Sequence, residues 1–214
     1  MEPRVLSINV GQPRTVRHED RTVRTAIWKT PVTGPVRLTR LGFDGDGQAD
    51  RRVHGGPNRA AYAYPHEHYE HWAPRLGGGP LPMGQFGENL TTEGLLETTI
   101  HVRDVYALGS ARIRIEGPRL PCFKLGIRTG DPAIVAPFLE SGRLGFYVSV
   151  FEEGLVEAGD PIALLDRTEG AVTFAELVAA GFLPGVSPEE RMRVRNSPGI
   201  APALGARIEA LARS

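Results

Sequence analysis

Cysteine is almost missing from this 214-residue chain: Cys122 stands alone. An intramolecular disulfide framework is therefore excluded, which suits a reducing compartment. A charge bias is missing too. Lys+Arg and Asp+Glu both number 25, so the formal net charge is zero, without the basic excess usual in a general nucleic-acid binder. No window approaches the ~20 apolar residues of a membrane helix. The start, Met1 to Ile8, has no apolar stretch long enough for a signal peptide. These absences lead us to expect a cytoplasmic protein with neither nucleic-acid polymer nor membrane as partner. Lysine is scarce as well. Only Lys29 and Lys124 occur, and the other 23 of the 25 basic residues are arginine.

What is present is a globular composition, 41% hydrophobic and 23% charged. The length suits one domain with a small appendage. Most of the 26 Gly and 18 Pro are spread over residues 1 to 165, a pattern of many short strands joined by turns. Val5 to Val10, Thr22 to Lys29 and Val36 to Leu41 read as strands. Alternation is clearest over residues 100 to 116, broken by a Gly109-Ser110 turn, where Ala111, Ile113 and Ile115 share one face. Phe146 to Phe151 and Ile162 to Leu165 read as further strands. Helix signals are fewer: Pro65 through Trp72, Pro132 to Ser141, and a run after residue 170. There Thr173 and Glu176 spell a capping box, Ser187-Pro188-Glu189-Glu190 a strong helix start, and Ala203 to Arg213 an apolar helical spacing. The reading is a mostly β body over residues 1–168 followed by a helical extension over 169–214.

Several motifs invite chemistry. Asp44, Asp46 and Asp50 suggest a calcium loop, but Gln48, Ala49 and Gly55 hold positions where an EF-hand needs an oxygen ligand, Gly and Glu. These carboxylates are expected instead to cap the turn or to pair with Arg51 and Arg52. The run His66-Glu67-His68-Tyr69-Glu70-His71-Trp72 lacks the zinc-protease spacing, so Tyr69 and Trp72 are expected to pack inward with the histidine tips wet. Free cysteine is usually a small buried hydrophobe. Cys122, however, follows a strand in Pro118-Arg119-Leu120-Pro121-Cys122-Phe123-Lys124-Leu125, where a side chain can face a pocket. Arg119 and Lys124 flank it, and cations beside a thiol favour its nucleophilic, metal-binding form. Two further glycine-bounded polar loops, Val53 to Arg59 and Gln85 to Gly94, match neither a Walker loop nor a dinucleotide fingerprint.

Together these segments resemble the MOSC family, the domain first seen at the C-terminus of molybdenum cofactor sulfurases. The matching pieces are Leu41 to Asp50, Val53-His54-Gly55-Gly56-Pro57, Tyr64-Pro65 with Glu67-His68-Tyr69 and Trp72, Phe86-Gly87-Glu88-Asn89-Leu90, Gly109, and Pro118 to Leu125. His66 and His71 fall outside them. The resemblance is closest to the stand-alone bacterial subgroup with a three-helix C-terminal extension, associated with reductive detoxification of N-hydroxylated purine analogues.

The resemblance implies a mostly β, barrel-type fold with a few short peripheral helices. It also implies a molybdenum cofactor (molybdopterin), with Cys122 as the catalytic residue that binds molybdenum. His54, Glu88 and Asn89 are expected to line the cofactor pocket. Arg119, Lys124 and Arg59 are expected to meet its phosphate or the anionic centre. Residues 1 to 59 carry 11 basic against 6 acidic residues, which suits a phosphate-bearing ligand. The implied activity is an oxidoreductase acting on small N-hydroxylated substrates. No flavin, iron–sulfur or nicotinamide motif appears, so electrons would come from a separate reductase. The C-terminal helices would serve as a homodimer contact or as a docking site for that donor. An alternative is a carrier that holds sulfur as a Cys122 persulfide, or holds the cofactor itself. A family-level pyridoxal phosphate reading would place a Schiff base on Lys124.

Overall fold

The computed structural model describes residues 2–49 and 56–213. Thirteen strands and six α-helices appear among them, so helix rivals strand, at 28% against 32%. The strands are β1 (Arg4–Val10), β2 (Arg14–His18), β3 (Arg21–Thr25), β4 (Thr30–Val32), β5 (Val36–Thr39), β6 (Gly42–Phe43), β7 (Ala61–Pro65), β8 (Leu90–Glu93), β9 (Val105–Leu108), β10 (Ala111–Pro118), β11 (Phe146–Glu152), β12 (Gly154–Val156) and β13 (Ile162–Asp166). The helices are α1 (Tyr69–Trp72), α2 (Phe123–Thr129), α3 (Val135–Glu140), α4 (Phe174–Phe182), α5 (Pro188–Arg195) and α6 (Pro202–Ala212).

The main sheet has eight strands in the order β13-β9-β10-β11-β7-β8-β1-β4. It corrects the expected barrel: the sheet is open and the fold is mixed α/β. One edge is β4, where Pro31 has no N–H to offer a further strand. The other edge is β13, which leaves four of its five residues exposed. Arg4 at the start of β1 bridges Pro161, just before β13, but the two edge strands β4 and β13 do not pair with each other. Alternation along a strand tells which face is buried, but it does not encode closure.

The β9–β10 hairpin turns at Gly109-Ser110 as its sequence requires. Gly109 has φ +56°, and a Cβ there would lie 2.3 Å from the Leu155 carbonyl oxygen, so only glycine fits. Ile100 and Val102, read as part of this strand system, belong instead to a bridge and turn beside α4, where Phe174 N–H donates to Ile100 O at 2.9 Å. The second expected strand, Thr22 to Lys29, is cut at Thr25, and its partner β2 carried no apolar alternation.

The core behind the sheet is aromatic. Tyr64, Phe86 and Phe138 are fully buried, and Trp72 stacks on Phe138 with ring centroids 5.0 Å apart. Trp72 Nε1 donates to Tyr64 Oη at 2.8 Å, so its polar handle is satisfied inside the core. Tyr69 and Trp72 point inward as expected. His68 does not stay wet: it is buried and paired with Glu97 Oε2 at 2.7 Å, and Glu97 also accepts from Gly145 N at 2.9 Å.

The expected Thr173 capping box forms, and the Ser187 helix start proves to be a second one. Thr173 accepts from Glu176 N and Ser187 from Glu190 N, with each glutamate reaching back to the cap. The α4 carboxyl end is covered by two arginines. Arg191 donates to Ala180 O and to Leu183 O, the latter at 2.9 Å, and Arg207 Nε donates to Gly181 O at 2.7 Å. Those carbonyls would otherwise lack partners at a helix end. Replacing Thr173 by Ala is expected to lower stability by about 1 kcal/mol, read as a shifted urea midpoint at unchanged slope.

Candidate functional site

An open cleft lies where several chain segments converge beside β7 and β11. Tyr62 of β7 and Tyr147 of β11 are register partners, and both rings line it, with centroids 5.7 Å apart. One wall comes from residues 25–29 and 46–49 together with Asn89. The other comes from Arg119 to Lys124.

Cys122 lines the cleft, half-buried. It is the N-cap of α2, a helix the sequence reading did not anticipate, with extended backbone at φ −134° and ψ 171°. Its carbonyl accepts from Leu125 N at 2.8 Å, while its side chain makes no capping bond. The thiol is thus left to the cleft. Gly126, one turn on, meets Asp131 O and Pro132 Cα, each 3.1 Å from where a Cβ would lie, so the helix packs backbone to backbone.

Arg119 is 7% exposed. Its guanidinium carbon lies 5.4 Å from the Tyr62 ring centroid and 5.9 Å from that of Phe138. Its Nη1 is shielded and has no hydrogen-bond partner. A buried, unmade donor costs about 1–3 kcal/mol, so a cleft-lining guanidinium held this way suits an acceptor on a ligand. Arg59 and Lys124 also line the cleft, with the Arg59 guanidinium carbon 5.5 Å from the Tyr147 ring centroid.

The opposite wall holds a buried network that sequence reasoning missed. Lys29 Nζ meets Asp46 Oδ1 at 2.5 Å, with side-chain exposures of 8% and 5%. Asp46 Oδ1 also accepts from Gly11 N at 2.8 Å, and Oδ2 from Asn89 Nδ2 at 2.9 Å. Burial pushes the Lys29 ammonium below the usual lysine range, and the Asp46 contact offsets part of that shift. The scarcity of lysine was the one available signal for Lys29. Asp46 thus reaches back to Gly11 rather than capping its own turn, and the expected pairing with Arg51 and Arg52 lies outside the described residues, as does Asp50.

Of the expected site residues, the cleft brings together Cys122, Arg59, Asn89, Arg119 and Lys124. Glu88 is not among them. It is fully buried and accepts from Gly84 N and Phe86 N, both at 2.9 Å, from Thr91 Oγ1 at 3.1 Å and from Tyr69 Oη. Burial raises its carboxyl above the usual carboxylate range, and these donors pull it back in part. Its work is to fold the loop that delivers Gly87 and Asn89. His54 lies outside the described residues. Among the described residues, no group of three or more His, Cys, Asp and Glu side chains is placed to hold a metal ion.

Comparison with known proteins now decides the family. The MOSC domain profile matches residues 50–163. YflK of Bacillus subtilis (strain 168) is 41% identical over 169 residues, covering 79% of this chain and 76% of YflK. The chain belongs to the MOSC family. Among solved MOSC-type relatives, the crystal structure of YiiM from Geobacillus stearothermophilus superposes with a TM-score of 0.78 at 31% identity, spanning 97% of this chain and 98% of that one. This MOSC protein therefore groups with the stand-alone bacterial members. A protein named Reductase from Gibberella moniliformis (strain M3125 / FGSC 7600) is 35% identical over 150 residues, covering 68% of this chain but 26% of that longer protein. No helix among the described residues is long and apolar enough to cross a membrane.

Lys29→Met leaves Asp46 as a buried charge without its cation. The change is expected to cost about 3 kcal/mol, measured by urea unfolding. A double variant that also carries Asp46→Leu should recover part of that loss, and full additivity of the two changes would show that the pair does not interact.

Proposed function

We propose that this MOSC protein binds a molybdenum cofactor and reduces small N-hydroxylated compounds, N-hydroxylated purine analogues among them. The observation that carries the reading is Cys122, whose thiol opens on a cleft beside the buried, unpaired Nη1 of Arg119. A single thiol, with no metal-ligating cluster among the described residues, suits a metal that arrives with its own organic ligands, and thiolate is a suitable soft donor. When bound, the cofactor would supply the two-electron chemistry. Cys122 would ligate its metal. Arg119, Lys124 and Arg59 would hold its phosphate or other anionic groups, Arg119 through the donor atom left open. Asn89, whose amide is held by Asp46, Asn9 O and Tyr62 N, would shape the wall that faces the pterin. Tyr62 and Tyr147 would close one face to water.

The net reaction breaks the N–O bond of a hydroxylamino group. It takes up two electrons and two protons, leaving an amine and water. The family membership and the name carried by the fungal relative support a reductase over a passive binding module. Pyridoxal phosphate plays no part in this reading.

Protein made in a cofactor-proficient host should contain molybdenum by elemental analysis. Cys122→Ser should lower that content severalfold and abolish reduction of a hydroxylamino substrate, with an unchanged unfolding midpoint. Loaded wild type without such activity would overturn the reductase assignment. A labile gain of one sulfur on Cys122 in intact-protein mass spectrometry would favour the carrier instead.

A further inference from the structure

The basic groups of this chain are unevenly placed. It has two lysines, and both line the cleft, together with Arg59 and Arg119. Among the described residues, Asp46 is the one carboxylate of the lining, and Lys29 Nζ already meets it at 2.5 Å. A chain of zero net charge thus gathers a cationic excess at one place. Neither Arg119 nor Lys124 has an ion-pair partner among the described residues. Arg119 is 7% exposed, and its shielded Nη1 has no acceptor. A cation held away from bulk water attracts an anion more strongly than one in open solvent.

Cys122 lies between these two cations in the chain. Its thiol is free, makes no capping bond and lines the same cleft. Leu120 and Phe123 on either side are 49% and 40% exposed, so this segment lies at the surface and small solutes can reach it. Tyr147 feels the same surroundings. Burial pushes its phenol above the usual tyrosine range, Arg119 and Arg59 pull it back, and Cys122 adds to the rise. Thiol, guanidinium groups and phenol therefore share one electrostatic environment. The chain has no second thiol. A disulfide formed on Cys122 cannot be resolved from within, and only an external thiol removes it.

We propose that Cys122 is a site of reversible mixed-disulfide formation with anionic low-molecular-weight disulfides of the oxidised-glutathione type, whose carboxylates Arg119 and Lys124 attract. The inference goes beyond the reductase reading and does not depend on it. Cys122 Sγ attacks one sulfur of the incoming disulfide. That S–S bond breaks as the new one forms, and the proton lost by Cys122 ends on the departing thiol. The protein sulfur is oxidised and the incoming disulfide is reduced, so the exchange needs no further oxidant. A sulfur held in a disulfide has no thiolate to offer a metal, so the adduct and metal ligation at Cys122 exclude each other.

The test exposes the full chain, made without cofactor and freshly reduced, to oxidised glutathione (anionic), hydroxyethyl disulfide (neutral) or cystamine (cationic). Intact-protein mass spectrometry follows the adduct. Each rate is divided by that of the same disulfide with free mercaptoethanol, which removes the intrinsic differences between the reagents. At low salt the normalised rate for oxidised glutathione should exceed that for cystamine at least about tenfold, with the neutral disulfide between them. The gap should narrow as salt is raised. Lys124→Glu, at a half-buried position, should cut the preference at least about threefold. Arg119→Gln should do the same in protein whose unfolding midpoint is unchanged. Equal normalised rates for the three disulfides would overturn the proposal. So would an adduct that forms only in urea-unfolded protein, or a preference that Lys124→Glu leaves intact.

Discussion

Asp46 is the carboxylate on which the cleft depends. It is almost fully buried, yet it gathers a lysine ammonium, a backbone N–H and a side-chain amide from three places far apart in sequence. Each of those groups is costly to bury alone. Together they satisfy one another and lock residues 11, 29, 46 and 89 into one wall. Gly47 tightens the same junction. Its N–H donates to Gly11 O at 2.9 Å, and a Cβ there would lie 2.3 Å from Pro13 Cδ. A buried ion pair is a weak stabiliser when compared with apolar packing. Its value here is geometric, because Asn89 has one place to be.

The two walls differ in kind. The Asp46 wall is internally satisfied, with its polar groups largely paired to each other. The Cys122 wall is open-handed, offering a thiol free of capping duty and an arginine with an unmade bond. A ligand that needs anchoring therefore finds rigid shape on one side and available donors on the other. Glu88 stands behind both as a scaffold residue whose four donors fix the turn before β8. Preorganisation of this sort spares a bound group the cost of ordering its surroundings.

Local chemistry was readable in the sequence, and long-range chemistry was not. The Thr173 and Ser187 capping boxes depend on residues three apart, and both formed. The Gly109-Ser110 turn was equally local. Cys122 was placed on a pocket by its flanking residues, but the helix it begins was hidden, because Gly126 and the flanking prolines read as loop. Lys29 and Asp46 are seventeen residues apart, and no pattern announces a pair at that spacing. Glu88 carried a motif signal for the site, yet its carboxylate turned inward, since a motif shows that a residue matters and not which way it points. Closure of the sheet was beyond alternation altogether, as Pro31 at one edge and the exposed face of β13 at the other make plain.

One pairing in the main sheet is parallel, that of β7 with β8. A parallel neighbour cannot be reached by a tight turn, so residues 66–89 must cross over first. That crossover carries Glu88 and ends on Asn89, and β11 then joins the far side of β7. During vectorial synthesis the segments of the Asp46 wall emerge before those of the thiol wall, and Tyr147 follows later still. A ribosome-bound chain therefore exposes half a receptacle for as long as residues 90 to 147 take to appear. Any large prosthetic group gripped by both sides can be seated only once Tyr147 has emerged.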